Sequence, residues 1–267
     1  MNKIFKTCFL IFSFNIVFSQ VVFELDSDTS GFVDLRSRIK DQSRFIKLDS
    51  NNFNAYVKRS QLEYELGDYK SSIKDINQLI RLNPKSADAH SNRGMCYTFL
   101  KDFKQALNDI NIAIKLEPNN ATNYLNLAYA KTENKKYKEA ILDLNTAIKL
   151  RPDYAKAYAN RGFSKQKINL LNEALIDFNK AIELNPNYIE AIINRGYLKL
   201  LLKDYPGTIS DYNQVLKFVP TLKSFLFYKN LGLAYEKLGD ITNSKFYYDK
   251  SVESKKDSIL PMYNKTK

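Results

Sequence analysis

Apolar residues recur along most of the chain at steps of three and four positions, the spacing that places them on one face of an α-helix. A phrase Ile-x-Leu-x-Pro, with x a polar residue, ends at Pro84, Pro118, Pro152 and Pro186, and Pro220 continues the same even spacing. Proline ends a helix because it lacks the backbone donor and clashes with the preceding turn. The pattern predicts a helical repeat of about 34 residues that closes at each proline.

Small residues hold a second fixed place in this repeat. If the prolines are position 32, the repeats cover 53–86, 87–120, 121–154, 155–188 and 189–222, and a sixth fits 225–256 after two inserted residues. Position 8 is small in every repeat: Ser60, Gly94, Ala128, Gly162, Gly196 and Gly232. Two helices approach to about 8–10 Å only where small residues occupy their crossing point. Each repeat is therefore predicted to be a pair of antiparallel helices, A and then B.

Together these positions resemble the tetratricopeptide repeat (TPR) family over 53–256, in the manner of exported bacterial-type members. The resemblance implies an all-α fold, a right-handed α-solenoid superhelix of helix-turn-helix repeats. It also implies protein binding rather than catalysis. A lone capping helix is predicted over 34–48 by the apolar residues Leu35, Ile39, Phe45, Ile46 and Leu48, within an N-terminal segment 20–52, and 257–267 is expected to be a C-terminal tail.

The segment 1–19 has the features of a secretory signal peptide. Two lysines precede an apolar run over 7–18, and Ser19 offers a small residue before the expected cleavage site at Gln20. About a dozen apolar residues are too few for a membrane-spanning helix, which needs roughly 20. We therefore expect export, to the periplasm, the envelope or the medium.

Composition argues against an enzyme or a metalloprotein. The chain has one histidine, His90, and after loss of Cys8 with the signal peptide it retains one cysteine, Cys96. A zinc site needs about four such ligands, and no catalytic motif or cofactor-binding loop is present. We expect no catalytic residues, no metal and no cofactor, with His90 and Cys96 in the core.

Net charge leaves one alternative open. The formal charge of +12 falls to +10 when the signal peptide is removed with Lys3 and Lys6. A basic protein can bind polyanions such as acidic polysaccharide or nucleic acid. The lysines alternate with acidic residues along the chain, however, and export takes the protein out of reach of most nucleic acid.

Two polar positions repeat in register and predict structural ion pairs between helices A and B. Position 7 is arginine in four repeats: Arg59, Arg93, Arg161 and Arg195. Position 23 is aspartate in five: Asp75, Asp109, Asp143, Asp177 and Asp211. Repeat six has lost both, with Leu231 and Tyr247 in their places. We expect each arginine to contact a position-23 aspartate of its own repeat or of the preceding one.

A third pattern predicts a peptide-binding groove. Position 6 is asparagine in five repeats: Asn92, Asn126, Asn160, Asn194 and Asn230. Position 9 carries a large side chain in four: Met95, Tyr129, Phe163 and Tyr197. In TPR proteins that bind extended peptides, both positions line the concave face. An amide both donates and accepts hydrogen bonds, so it can hold a peptide backbone. Alternatively, the asparagines only follow a habit of this TPR subtype.

The family's carboxylate clamp is not supported, because position 2 is basic only at Lys156. The sequence thus predicts an exported scaffold that binds an extended peptide or a partner protein of unknown identity in its concave groove. Polyanion binding is the alternative. Self-association through the last repeat is a further expectation, since no capping helix follows it.

Overall fold

The computed structural model describes residues 29–263, with side chains for 34–254. This part of the chain contains thirteen α-helices and no strand. They are α1 Thr29–Leu48, α2 Phe53–Glu65, α3 Tyr69–Leu82, α4 Ala87–Phe99, α5 Phe103–Leu116, α6 Ala121–Glu133, α7 Tyr137–Leu150, α8 Ala155–Lys167, α9 Leu171–Leu184, α10 Ile189–Leu201, α11 Tyr205–Phe218, α12 Phe225–Lys237 and α13 Ile241–Tyr263. The all-α prediction is confirmed, and the helices alternate as A and B from α2 onward. The predicted signal peptide lies outside the described residues.

The helices fall into two compact units, whose boundary lies inside α8. The N-terminal unit spans Asp28–Ala157, and the C-terminal unit includes the chain from Tyr158. Within the first, α2 packs on α3, α4 on α5 and α6 on α7, and α1, α3 and α5 each also contact the A helix that follows. In the second, α10 pairs with α11 and α12 with α13 in the same way.

Small residues set the distance within each pair. A Cβ added to Gly94 would lie 2.6 Å from Cγ1 of Ile110 on the partner helix. One added to Gly196 would overlap the ring of Tyr212. Ile110 and Tyr212 are fully buried against these glycines. At Gly94 and Gly196 a side chain therefore cannot be added unless the partner side chain or its helix shifts.

The turn between helices A and B repeats one backbone conformation. Position 15 has positive φ in all six repeats, at Gly67, Lys101, Lys135, Asn169, Lys203 and Gly239. The next amide donates to the carbonyl five residues earlier, as Asp102 N does to Tyr97 O at 2.9 Å. This is the helix end that a left-handed residue produces. The following aspartate then caps helix B in four repeats, as Asp102 does through the Gln105 amide.

The turn between repeats is fastened by the side chain at position 4. Hydroxyl groups of Tyr56, Tyr124 and Tyr228 donate to carbonyls six residues earlier, at 3.3, 3.1 and 2.7 Å. His90 takes the same place, with Nε2 3.2 Å from the Pro84 carbonyl oxygen. The buried histidine therefore replaces a tyrosine in a structural hydrogen bond.

Helix α1 has the placement of a B helix relative to the repeats that follow it. It ends at Leu48, one full repeat length before α3 ends at Leu82. Ile46 packs against the core cluster that contains Tyr56 and Ile76. Phe45 of α1 occupies the repeat position that Leu79 occupies in α3. Leu79 is buried against helix A of its own repeat, whereas Phe45 is half exposed. The helix begins at Thr29 rather than at residue 34 as predicted.

The last helix is longer than the repeat predicts. Lys256 occupies the proline position, so nothing ends the helix there, and α13 continues to Tyr263 rather than stopping at 256. Ile241 and Val252 on α13 are exposed. Between them stands Lys245, where the other five B helices carry isoleucine or leucine. This lysine makes the outer face of the last repeat less suited to stacking. Self-association there stays a prediction.

Helix B of repeat four lacks a side-chain N-cap, so adding one tests how much the capping aspartate stabilises the other repeats. Leu170 precedes α9 with the backbone angles of the capping aspartates but without a side-chain cap. Leu170→Asp should raise the free energy of unfolding by about 1 kcal/mol, because it supplies an acceptor for the Glu173 amide. Thermal and urea unfolding of the full chain would measure the change. Leu170→Ala, which removes the same apolar surface without capping, is the control. Equal stability of the two variants would contradict the capping argument.

Candidate functional site

Arginine at position 7 forms a two-pronged ion pair with aspartate at position 23 of its own repeat. Arg93 donates from Nε and Nη2 to the two carboxylate oxygens of Asp109, both at 2.7 Å. The same geometry joins Arg59 to Asp75, Arg161 to Asp177 and Arg195 to Asp211, with distances of 2.6–2.9 Å. All four aspartates are buried. Paired donors in a fixed fork make this the strong form of a charge-assisted hydrogen bond.

The third nitrogen of the guanidinium reaches the preceding B helix. Nη1 of Arg93 donates to Oδ1 of Asn77 at 2.7 Å, and Nη1 of Arg195 donates to Oδ1 of Asn179 at 3.0 Å. In the first repeat, Nη1 of Arg59 donates to Ser43 Oγ on α1 at 2.9 Å. One guanidinium thus joins three helices. We call this the Arg–Asp–Asn network, with Ser43 in place of asparagine in repeat one.

The asparagine that serves as this third partner also repeats in the sequence, although it was not among the predicted residues. Position 25 is asparagine in five repeats, namely Asn77, Asn111, Asn145, Asn179 and Asn213. It stands two residues after the repeated aspartate, so the two form an Asp-x-Asn motif.

Asp143 pairs with a lysine, because repeat three has Leu127 at the arginine position. Nζ of Lys131 lies 2.6 Å from Asp143. Lys165 and Lys199, at the same position 11, also approach Asp177 and Asp211, at 2.9 and 3.0 Å. Burial raises the pKa of the Asp143 carboxyl, and its hydrogen bond with Lys131 opposes this. These lysines were not predicted from the sequence as partners of the position-23 aspartates.

In repeat six an aromatic cluster takes the place of the ion pair. Tyr247 at position 23 stacks on Tyr235 with ring centroids 5.5 Å apart and on Tyr228 at 6.2 Å. Leu231, at the arginine position, is fully buried. Arginine and aspartate are thus lost together and replaced by apolar packing.

The predicted groove residues of the N-terminal unit differ in their exposure. Asn92 is exposed, and Asn126 is partly buried with its Nδ2 donating to Ser91 Oγ at 3.0 Å. Met95 and Tyr129 are only 7% and 3% exposed. In this unit the amides, rather than the large side chains, are the accessible part of the pattern.

In the C-terminal unit the large side chains at position 9 are more exposed than the asparagines Asn160 and Asn194 at position 6. Asn160 and Asn194 are 4% and 8% exposed, and Nδ2 of Asn230 donates to the Tyr212 hydroxyl at 3.4 Å. Phe163 and Tyr197 are half-buried. The Lys167 ammonium lies 4.9 Å from the centre of the Phe163 ring. In this unit a ligand can reach the aromatic rings rather than the amides of Asn160 and Asn194.

Models of the tetratricopeptide repeat match residues 57–98, 87–120, 155–188 and 227–258, and a TPR repeat model matches 128–169. Together they cover more than half of the chain. The chain belongs to the tetratricopeptide repeat family.

Solved structures show the same TPR fold. PilF of Pseudomonas aeruginosa aligns with a TM-score of 0.66 and 18% identity, over 78% of this chain and 97% of PilF. A TPR protein from Parabacteroides merdae gives 0.59 and 20%, over 76% and 79% of the two chains. MamA gives 0.56 and 22%, over 66% and 96%. At these identities the likeness shows the fold alone. A search of curated protein sequences found no match.

The cysteine thiol of the described residues lies in the core of this TPR protein. Cys96 is fully buried near Ser72 Oγ, and burial raises the pKa of its thiol to about 11. Within the described residues, no group of three metal-ligating side chains is present. No helix in that part of the chain is both long and apolar enough to cross a membrane.

Removing one arginine tests the Arg–Asp–Asn network. Arg93→Ala leaves Asp109 buried without its cation and should lower the free energy of unfolding by about 3 kcal/mol. The control is Arg81→Ala on the exposed face of α3, which should cost less than about 0.5 kcal/mol. Equal losses from the two changes, measured by urea unfolding, would contradict a structural role for the network.

Proposed function

We propose that this TPR protein is an exported scaffold that binds an extended peptide or a partner protein along the face formed by positions 6 and 9 of its A helices. Membership of the TPR family supports protein–protein interaction. The observation that carries the finer proposal is the series of asparagines at one position. Catalysis forms no part of the proposal.

The amides of the N-terminal unit can hold peptide backbone. Asn92 is exposed with its donor and acceptor open to solvent. Asn126 uses its donor on Ser91, which orients the amide and leaves Oδ1 to accept from a peptide N–H. Contacts of this kind recognise backbone, so we expect broad sequence preference.

Phe163 and Tyr197 of the C-terminal unit suit apolar peptide side chains. Each ring is half-buried, which fixes its orientation while one part stays exposed. Rigid aromatic side chains of this kind supply contact area with little loss of conformational entropy. The two units therefore offer different chemistry to a ligand.

Polyanion binding is the weaker candidate, because many lysines already have acidic partners. Nζ of Lys101 lies 2.7 Å from Glu133, that of Lys136 lies 3.3 Å from Glu139, and that of Lys180 lies 2.6 Å from Glu183. A polyanion site needs a continuous basic surface whose binding weakens steeply with salt. Paired lysines do not make one.

Export is part of the proposal and has its own test. The apolar run over 7–18 and the small residue at Ser19 support cleavage after Ser19. N-terminal sequencing of the protein from its native cells should therefore begin at Gln20. A protein that retains Met1 would contradict it.

Peptide binding is tested by selecting peptides from a random displayed library with the mature chain and measuring their affinity by calorimetry. Asn92→Ala combined with Asn126→Ala should weaken binding by about five- to 150-fold, since each amide contributes about 0.5–1.5 kcal/mol. Raising the salt from about 50 to 500 mM should change the affinity only a few-fold, whereas polyanion binding would fall by orders of magnitude.

The matched control is Asn111→Ala, an asparagine exposed on helix B of repeat two. All variants are first checked for unchanged melting temperature. Peptide affinity that survives the double change intact would show that the asparagines are a family habit and that the ligand binds elsewhere.

A further inference from the structure

Glu63 is a buried carboxylate near the end of α2, in the first repeat. Only 9% of the residue is exposed, and its Oε2 has no hydrogen-bond partner in the described part of the chain. Oε1 lies 3.9 Å from Nε of Arg59. That nitrogen is already 2.6 Å from Asp75. One guanidinium therefore faces two carboxylates.

Other repeats show what this position normally holds. Glu63 is at position 11, where repeats three, four and five carry Lys131, Lys165 and Lys199. Each of those lysines contacts the aspartate at position 23, which is buried in repeats four and five and partly buried in repeat three. Repeat one thus reverses the sign of a charge at the same point in the fold. In repeats four and five two cations face one carboxylate, whereas in repeat one a single cation faces two carboxylates.

The surroundings of Glu63 favour its protonated form. Burial, and after it the charge of Asp75, raise the pKa of the Glu63 carboxyl to about 7, with Asp68 adding to the effect. Arg59 and Lys74 oppose the shift without cancelling it. The buried thiol of Cys96 on α4 also lies near enough for its pKa to be raised by the Glu63 charge. No lysine takes the place that Lys131 holds in repeat three.

We infer that Glu63 is a proton-dependent lock, which holds the first repeat and helix α1 closed while it is protonated and loosens them when the proton is lost. The connection to α1 runs through Arg59, whose Nη1 donates to Ser43 Oγ at 2.9 Å. An ionised Glu63 competes with Asp75 for the same guanidinium. Opening the first repeat hydrates the extra charge, so ionisation favours opening.

The direction with pH follows from linkage. In the opened repeat Glu63 has its ordinary pKa of 4.5, and in the closed repeat its pKa is about 7. The closed form binds the proton more tightly, so its extra stability is complete below about pH 4.5. That stability is lost as the pH rises toward 7, and the dependence levels off above it. One proton gives at most about a tenfold change in the opening equilibrium per pH unit.

The test is hydrogen exchange of the mature full chain, read by mass spectrometry on peptides from α1, α2 and α3 and corrected for the intrinsic exchange rate. From pH 5 to 7 their protection should fall by up to about tenfold per unit. Peptides from α10 and α11, where Lys199 pairs with Asp211, are the internal control and should lack this fall.

Two variants separate Glu63 from every other titrating group. In Glu63→Gln, which keeps the shape of the side chain, the extra pH dependence of α1–α3 should disappear. Glu63→Lys restores the residue of repeats three to five and should protect α1–α3 more than the wild type at pH 8. If Glu63→Gln shows the wild-type pH dependence, the inference is wrong, whether or not Glu63→Lys folds.

Discussion

In four of the six repeats, the bidentate contact between the position-7 arginine and the position-23 aspartate is the interaction on which the packing of helix A against helix B depends. Small residues let helices A and B approach, but apolar contact alone permits sliding and rotation. A planar guanidinium that meets a carboxylate through two parallel hydrogen bonds fixes both. Its third nitrogen, on Asn77 or Asn179, carries the constraint into the preceding repeat. The network therefore sets geometry within a repeat and between repeats.

The exceptions show that a position-23 aspartate is present only where a cation neutralises it. Repeat six loses both charges, and Leu231 and Tyr247 supply apolar contact instead. Repeat three keeps Asp143 and neutralises it with Lys131. Both solutions avoid an isolated buried charge, which is the costly state. Repeat one comes closest to violating that rule, because Glu63 adds a second carboxylate beside Asp75, and there we infer control by a proton.

Local rules made most of the fold predictable. Proline spacing determined where the B helices end, and small residues predicted the helix pairs. The features that were not predicted depend on contacts with neighbouring helices. The Asn77 side chain acquires its role only when the next repeat places Arg93 beside it. The exposure of Asn92 and the burial of Tyr129 likewise depend on packing that a repeat position does not specify. Helix α1 lacked the proline signal, so its placement as a B helix appeared only in three dimensions.

A double-mutant cycle on Arg93 and Asp109 measures how strongly these two side chains stabilise the repeat together. The free energies of unfolding would be measured for Arg93→Ala, Asp109→Ala and the double variant in the full chain. We expect a coupling energy of roughly 2 kcal/mol or more, because each single change leaves its partner's charge uncompensated. Losses that add within about 0.5 kcal/mol would contradict it, since they would show that the two residues stabilise the repeat independently.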